Sequence, residues 1–197
     1  MLWRLRDRQD PRPGILTRLD KDTSGLVVIG LLADVHAAMQ RDAFAGRVRK
    51  EYLAIVHGVP DPPRGTIALP LARDPADRRR VIATSGGAAS ETRYDLIASR
   101  HGMSALRCEL VTGRTHQIRV HLAASGWPIV GDRVYGAAAD CVSGTPSAGP
   151  TAGVASIARQ ALHAWRIALP HPLTRAALTF EAPLPPDVRP LFDALTV

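Results

Sequence analysis

The apolar residues of this chain come in short runs, each closed off by glycine, proline or a charged turn. Runs of that length, rich in Val, Ile, Leu and aromatic residues, favour strands over long helices. Residues 25–30 (GLVVIG) read as a buried strand. EYLAIVH over 51–57 is a second, ended by the turn signal GVPDPPRG over 58–65. Residues 66–71 add a third, and 91–98 with 104–112 form a strand pair across a turn near His101 and Gly102. Residues 161–168 and 176–182 look like closing strands. Helical spacing shows over 34–46, where Val35, Ala38, Met39, Ala43 and Phe44 make one apolar stripe. A second helix is expected over 115–125, with Thr115 as N-cap and Gly126 as the residue just past its end. A short one over 186–195 ends the chain. The pattern predicts an α+β domain with a mostly antiparallel, mixed sheet flanked by helices. That domain is expected over 15–197, behind a loose arm over 1–14. Residues 73–80 read as a charged loop, and 137–156, rich in Ala, Gly, Ser and Pro, as a flexible surface loop.

Composition narrows the partner. The 197 residues are 46% hydrophobic and 22% charged, as in a globular protein, with a net charge of +7. Such a surface attracts polyanions, of which nucleic acid is the commonest. All basic residues but Lys21 and Lys50 are Arg, whose planar fork suits phosphate. A GC-rich genome would raise the Arg share as well. No apolar run reaches the ~18 residues of a membrane helix. The charged, Pro-containing start lacks a signal-peptide core, so the cytoplasm is the expected setting. Cys108 and Cys141 stand far apart in sequence, and nothing about them suggests a disulfide framework or zinc site.

Three segments carry candidate chemistry. In Arg18-Leu19-Asp20-Lys21-Asp22-Thr23-Ser24-Gly25, the Thr-Ser-Gly turn can bond local backbone and hold Asp20 at a sheet edge. The same residues also make an ordinary solvated acidic loop. In Lys50-Glu51-Tyr52, Lys50 and Tyr52 share one face of a strand. Tyr52 could stack on a base there, or simply fill the core. Residues 113–122 (GRTHQIRVHL) run through a turn into a helix N-terminus, which favours anions. His116 and His121, five apart, with Cys108, match no common zinc spacing, and structural histidines are the simpler reading.

In this order and spacing, the three segments resemble the motifs of the RluA family of pseudouridine synthases, named after ribosomal large-subunit synthase A. Residues 18–25 match its first motif, 50–52 its second, and 113–121 with Gly126, Pro128, Ile129, Gly131, Asp132 and Tyr135 its third. Leu162-His163-Ala164 and Pro170-His171-Pro172 are similar to its C-terminal strand region. The resemblance spans residues 18–185 and implies the family's catalytic fold. It also implies isomerisation of uridine to pseudouridine in rRNA or tRNA, without cofactor or metal; a monomer fits a small single-domain RNA enzyme.

The resemblance makes Asp20 the nucleophile, Arg119 its partner and bidentate orienter, and Tyr52 the platform under the target uracil, with a share in C5 proton removal. Arg18 would help hold the nucleotide out of its helix or fill the space it leaves, and Ile118 would pack on the base. Arg114 and His116 belong to the substrate-binding motif. Lys50 and Arg73, Arg78, Arg79 and Arg80 would contact phosphate; the four arginines also read as a solvated basic loop. Thr17 stands where the family has His. The family's opening strand and Asn-Lys-Pro loop have no counterpart before it, which would leave a sheet edge bare. That departure motivates a second reading, an RNA-binding paralogue without activity. A third is a metal-dependent nuclease using Asp20 and Asp22, although no third acidic residue is well placed for it.

Overall fold

The computed structural model describes residues 13–136 and 157–197. Most of the arm expected over 1–14 and the whole loop expected over 137–156 lie outside the described residues.

The sheet is organised by β4 (Arg49–His57), in which Glu51 through Val56 are all buried. A strand covered on both faces must be central. The earlier strands are short: β1 (Gly14–Ile15), β2 (Ser24–Gly25) and β3 (Ile29–Gly30). After β4 come β5 (Arg64–Ile67), β6 (Leu71–Arg73), β7 (Val81–Ala83), β8 (Thr92–Arg100), β9 (Met103–Leu110), β10 (Leu162–Pro170) and β11 (Ala177–Glu181). The seven-stranded sheet has the order β11-β10-β4-β9-β8-β5, with β2 added on β10. Only the β2–β10 pairing is parallel, so the sheet is mixed and mostly antiparallel, as the sequence predicts. The β8–β9 hairpin turns through His101 and Gly102, both left-handed (φ 53° and 75°), the pair a two-residue turn of this hand requires.

Among the described residues three helices flank the strands: α1 (Ala33–Phe44), α2 (Gln117–Ala124) and α3 (Arg189–Thr196). Ile118 and Leu122 of α2 and Leu191 and Leu195 of α3 join Tyr52, Ile55 and Leu106 in the main core. Met39 of α1 packs with Val48, Ile167 and Leu169 in a second cluster. Among the described residues no helix is long and apolar enough to cross a membrane.

Several local expectations need correction. Residues 25–30 are not one buried strand. Past Gly25 the chain leaves the sheet because β11 already occupies the rest of that edge of β10, at 166–170. Val27 is 45% exposed, and β3 pairs with β1 instead. The strand expected over 66–71 is split between β5, which pairs with β8, and β6, which pairs with β7. The charged loop of 73–80 is thus mostly the tip of a hairpin. On α1 the stripe ends early: Phe44 is 97% exposed, and the buried position in the last turn is Asp42. Thr115 does not cap α2. His116 stands at that position, left-handed at φ 55° and without a side-chain cap bond. Gly126 does follow the helix end, at φ 85°.

Candidate active site

Asp20 sits in a tight turn just before β2, where Thr23 N–H donates to the Asp20 carbonyl (3.1 Å). The turn is tied down from the start of β10. Gln160 Nε2 donates to Lys21 O (2.6 Å) and Thr23 Oγ1 (3.1 Å), and Arg159 Nη1 donates to Asp22 O (3.0 Å). The guanidinium of Arg159 is itself fixed on Asp187 at 2.7 and 2.9 Å. One residue on, Ser24 Oγ donates to His163 Nδ1 (2.9 Å), whose Nε2–H reaches Ala182 O (3.2 Å). Burial holds His163 below its usual pKa, so the neutral ring can both accept and donate. Gly25 passes so close to Ala164 O that any Cβ would clash, and its φ is +115°. Glycine is therefore required where β2 meets β10.

Beside this turn lies a cavity of about 160 Å³, lined by Asp20, Arg18, Lys50, Tyr52, Gly113, Arg114, Ile118 and Leu162. Lys50 and Tyr52 enter it from β4 at alternate positions, and Ile118 from the first turn of α2. Tyr52 is 7% exposed. Burial, with the negative charge of Asp20 in second place, pushes its hydroxyl up to about 12. The phenol is protonated at neutral pH. Burial alone pulls the Lys50 ammonium below its usual range.

Behind Asp20 stands Arg119, 5% exposed. Its Nη1 lies 3.6 Å from Asp20 Oδ2, within ion-pair range but too far for a hydrogen bond. Its fork grips Asp132 instead, Nε to Oδ2 at 2.7 Å and Nη2 to Oδ1 at 2.9 Å. Asp132 Oδ1 also accepts from Val134 N–H (2.9 Å) and Tyr135 N–H (3.1 Å). Burial would raise the Asp132 pKa, but Arg119 and these two amides outweigh it and hold it below normal. The Tyr135 ring lies 5.0 Å from the Arg119 guanidinium and 5.6 Å from that of Arg80. Its hydroxyl accepts from Val81 N–H (2.9 Å) and shares a hydrogen bond with His116 Nδ1 (2.8 Å).

Comparison with known proteins places the chain as a whole. The pattern described as RNA pseudouridylate synthase matches residues 3–124. The chain belongs to this family.

Relatives within the family include the ribosomal large subunit pseudouridine synthase D of Nitrosomonas europaea. It is 38% identical over 95% of this chain and 52% of its own length. An RNA pseudouridine synthase of Chloroflexus aurantiacus is 43% identical over 90% of this chain and 52% of its own length. The chain thus spans about half the length of the curated relatives it matches. Among solved structures, human RNA pseudouridylate synthase domain containing 1 is 26% identical with a TM-score of 0.69, covering 96% of this chain and 82% of that one. Human domain containing 4, at 23% identity, shares the fold with the same TM-score.

Set against the family's motifs, the structure brings Asp20, Tyr52, Lys50, Ile118, Arg18 and Arg114 to one cavity, with Arg119 behind it. Arg18 and Arg114 are exposed at its rim, and Arg114 Nε donates to Ala89 O (3.3 Å). His116 turns toward Tyr135. Arg119 does not hold Asp20 bidentately; the fork is on Asp132. His116 and His121 form no joint cluster: His121 is fully buried among Thr92, Ser90 and Leu69 O at 3.0–3.1 Å. Of the phosphate candidates, Arg79 is paired with Asp77 at 2.9 Å. Among the described residues no three His, Cys, Asp or Glu side chains are grouped as a metal site would need. The sequence reading gave no role to Asp132, Tyr135, Gln160, Arg159 or Gln117. Gln117 ties the 112–117 loop to β8, accepting from Thr112 Oγ1 (2.7 Å) and donating to Glu91 O (2.9 Å). Asp132, Tyr135 and Gln117 were signalled by their places in the third motif.

Proposed function

We propose that this chain converts uridine to pseudouridine in large-subunit ribosomal RNA, in the cytoplasm, with Asp20 as nucleophile. The observation that carries the reading is Asp20 on one side of a ring-sized cavity, with Tyr52 in the lining and Arg119 behind. A net charge of +7 favours a polyanionic substrate, and the relatives' names supply its class.

The target uridine must first leave its stack, at a cost of about a few kcal/mol. Its base then lies against Tyr52, with Ile118 completing the pocket. Asp20 either attacks C1′ or takes a ribose proton, and the C1′–N1 bond breaks. The freed uracil turns within the cavity and rejoins C1′ through C5, and the C5 proton leaves. Because Tyr52 is a phenol held neutral, it acts as platform and hydrogen-bond donor in the resting state. Its share in C5 deprotonation requires that its own proton leave first. Arg119, fixed by Asp132, keeps positive charge beside Asp20 without occupying its oxygens.

Tritium release from RNA labelled at uridine C5 tests this. Wild type should release tritium from RNA that lacks pseudouridine, while Asp20→Ala and Asp20→Asn, folded by circular dichroism, should be slower by about 10³-fold or more. A folded wild type that releases nothing would defeat the reading and favour the inactive RNA-binding alternative. Binding alone needs no carboxylate backed by a buried arginine.

A further inference from the structure

Lys50 is not accounted for by the geometry above. It lines the same cavity as Asp20 and Tyr52, on the Tyr52 face of β4. Among the described residues its ammonium has no hydrogen bond and no ion pair, and no carboxylate offsets the effect of burial on it. The other cations of the site are otherwise engaged or peripheral. Arg119 is pinned on Asp132. Arg18 and Arg114 are exposed. Gly113 lies over the Lys50 head: a Cβ there would sit 3.5 Å from Nζ.

The chemistry of the proposed reaction creates a need at this place. In the ground state the one negative charge of the reacting pair is on the Asp20 carboxylate. If Asp20 attacks C1′, an O–C1′ bond forms, the C1′–N1 bond breaks, and its electron pair leaves with the base. If Asp20 takes the C2′ proton, the C2′ electrons form the C1′–C2′ double bond, and the C1′–N1 pair again leaves with the base. On both routes the carboxylate becomes neutral and the uracil becomes an anion, with charge shared among N1, O2 and O4. Negative charge moves from Asp20 to the base over the Tyr52 side of the cavity. Arg119 cannot follow it, because its fork is fixed. An ammonium on a flexible stem, with three donors and no competing anion, can.

We infer that Lys50 is a catalytic residue that binds the oxygens of the departing uracil anion, rather than a phosphate contact. The inference rests on the proposed function and concerns the step at which the base is released. Charge developing in a partly desolvated site is where a preplaced cation acts most strongly.

The test uses full-length wild type, Lys50→Met, Lys50→Gln and Lys50→Arg on two RNAs, one with uridine and one with 5-fluorouridine at the target. Target nucleoside loss is followed in single turnovers by digestion and mass spectrometry. Fluorine at C5 stabilises the uracil anion by itself, so it lowers the demand on Lys50. On uridine, Lys50→Met should slow the single-turnover rate by about 10²-fold, with little change in the enzyme concentration needed for half that rate. Lys50→Arg should recover most of the loss. On 5-fluorouridine the Lys50→Met defect should shrink to about tenfold or less, as expected when a removed interaction acts on leaving-group charge. If Lys50→Met does not fold, Lys50→Gln carries the same comparison. An equal loss on both RNAs, or a loss confined to the half-saturating concentration, would overturn the inference and return Lys50 to phosphate binding or structure. A wild type that consumes neither nucleoside would instead remove the proposed function, and the inference with it.

Discussion

Two buried carboxylates, Asp42 and Asp132, are gripped by arginines, and the two knots are built differently. At α1, Asp42 accepts from both Arg47 and Arg175, at 2.7–2.9 Å. The carboxylate is 3% exposed, but its arginines are 52% and 50% exposed, so the positive side of the knot faces water. At α2, Arg119 and Asp132 are 5% and 0% exposed. There the cation is interior, the carboxylate also takes two backbone amides, and Tyr135 stacks on the guanidinium. One knot closes the end of α1. The other leaves a single nitrogen, Nη1, directed at Asp20. The difference separates holding from tuning. Asp132 fixes the arginine, which leaves Asp20 without a hydrogen bond to it. Buried ion pairs are poor evidence for stability, and the Arg119 pair is better understood as a device for positioning charge.

The largest effect is therefore expected at Asp132. Asp132→Asn leaves a buried guanidinium with no charge partner but Asp20, and breaking such a pair costs about 3–5 kcal/mol. Urea denaturation should show that loss. Tritium release should fall even in the folded fraction, because Arg119 is then free to take Asp20 as its hydrogen-bond partner. Full activity in a folded Asp132→Asn would break the distinction between the two knots.

Replacing the arginines by lysine sharpens it. Arg119→Lys keeps the charge but loses the fork, and since one ammonium cannot serve Asp132 and Asp20 at fixed geometry, activity should drop by about 10²-fold. Arg47→Lys, on the exposed side of the other knot, should leave activity unchanged and shift stability by about 0.5 kcal/mol or less. Tyr135→Phe comes next. It keeps the ring over Arg119 but orphans Val81 N–H and His116 Nδ1, for about 1–3 kcal/mol of stability. Its activity loss should be smaller than that of Arg119→Lys.

What the sequence made legible follows the same division. The β8–β9 hairpin and α1 were readable because alternation, helical spacing and a His-Gly turn are local. Gly25 to Gly30 misled because a short apolar run does not reveal that another strand, β11, already holds the edge it would continue along. Phe44 misled because the stripe gives the period of a helix but not where its partner surface stops. Asp20, Tyr52 and Arg119 were marked by a motif string, not by their physics, which fitted a loop acid and a core tyrosine equally well. The Arg119–Asp132 fork, Tyr135 between Val81 and His116, and Gln160 under the Asp20 turn are contacts across 13 to 139 residues. No spacing rule reaches them. Asp42 shows the limit most simply, since one partner is five residues away and the other 133.

The smallest effect concerns Asp42 and depends on pH. Its hydrogen bond to Arg175, aided by Arg47, holds the carboxyl at about 2 against an ordinary 3.8. The folded pKa is depressed, so the carboxylate stabilises the fold above pH 3.8, and that contribution is lost as pH falls from there toward about 2. Asp42→Asn should lower the Tm modestly at pH 7, less than Asp132→Asn does, because both arginines of this knot can turn to water. The gap between wild type and Asp42→Asn should narrow as pH is lowered from about 4 to about 2.5, and tritium release at pH 7 should not change. A gap that stays constant across that range would mean the arginine contacts add no charge-dependent stability, and that Asp42 closes the helix by packing alone.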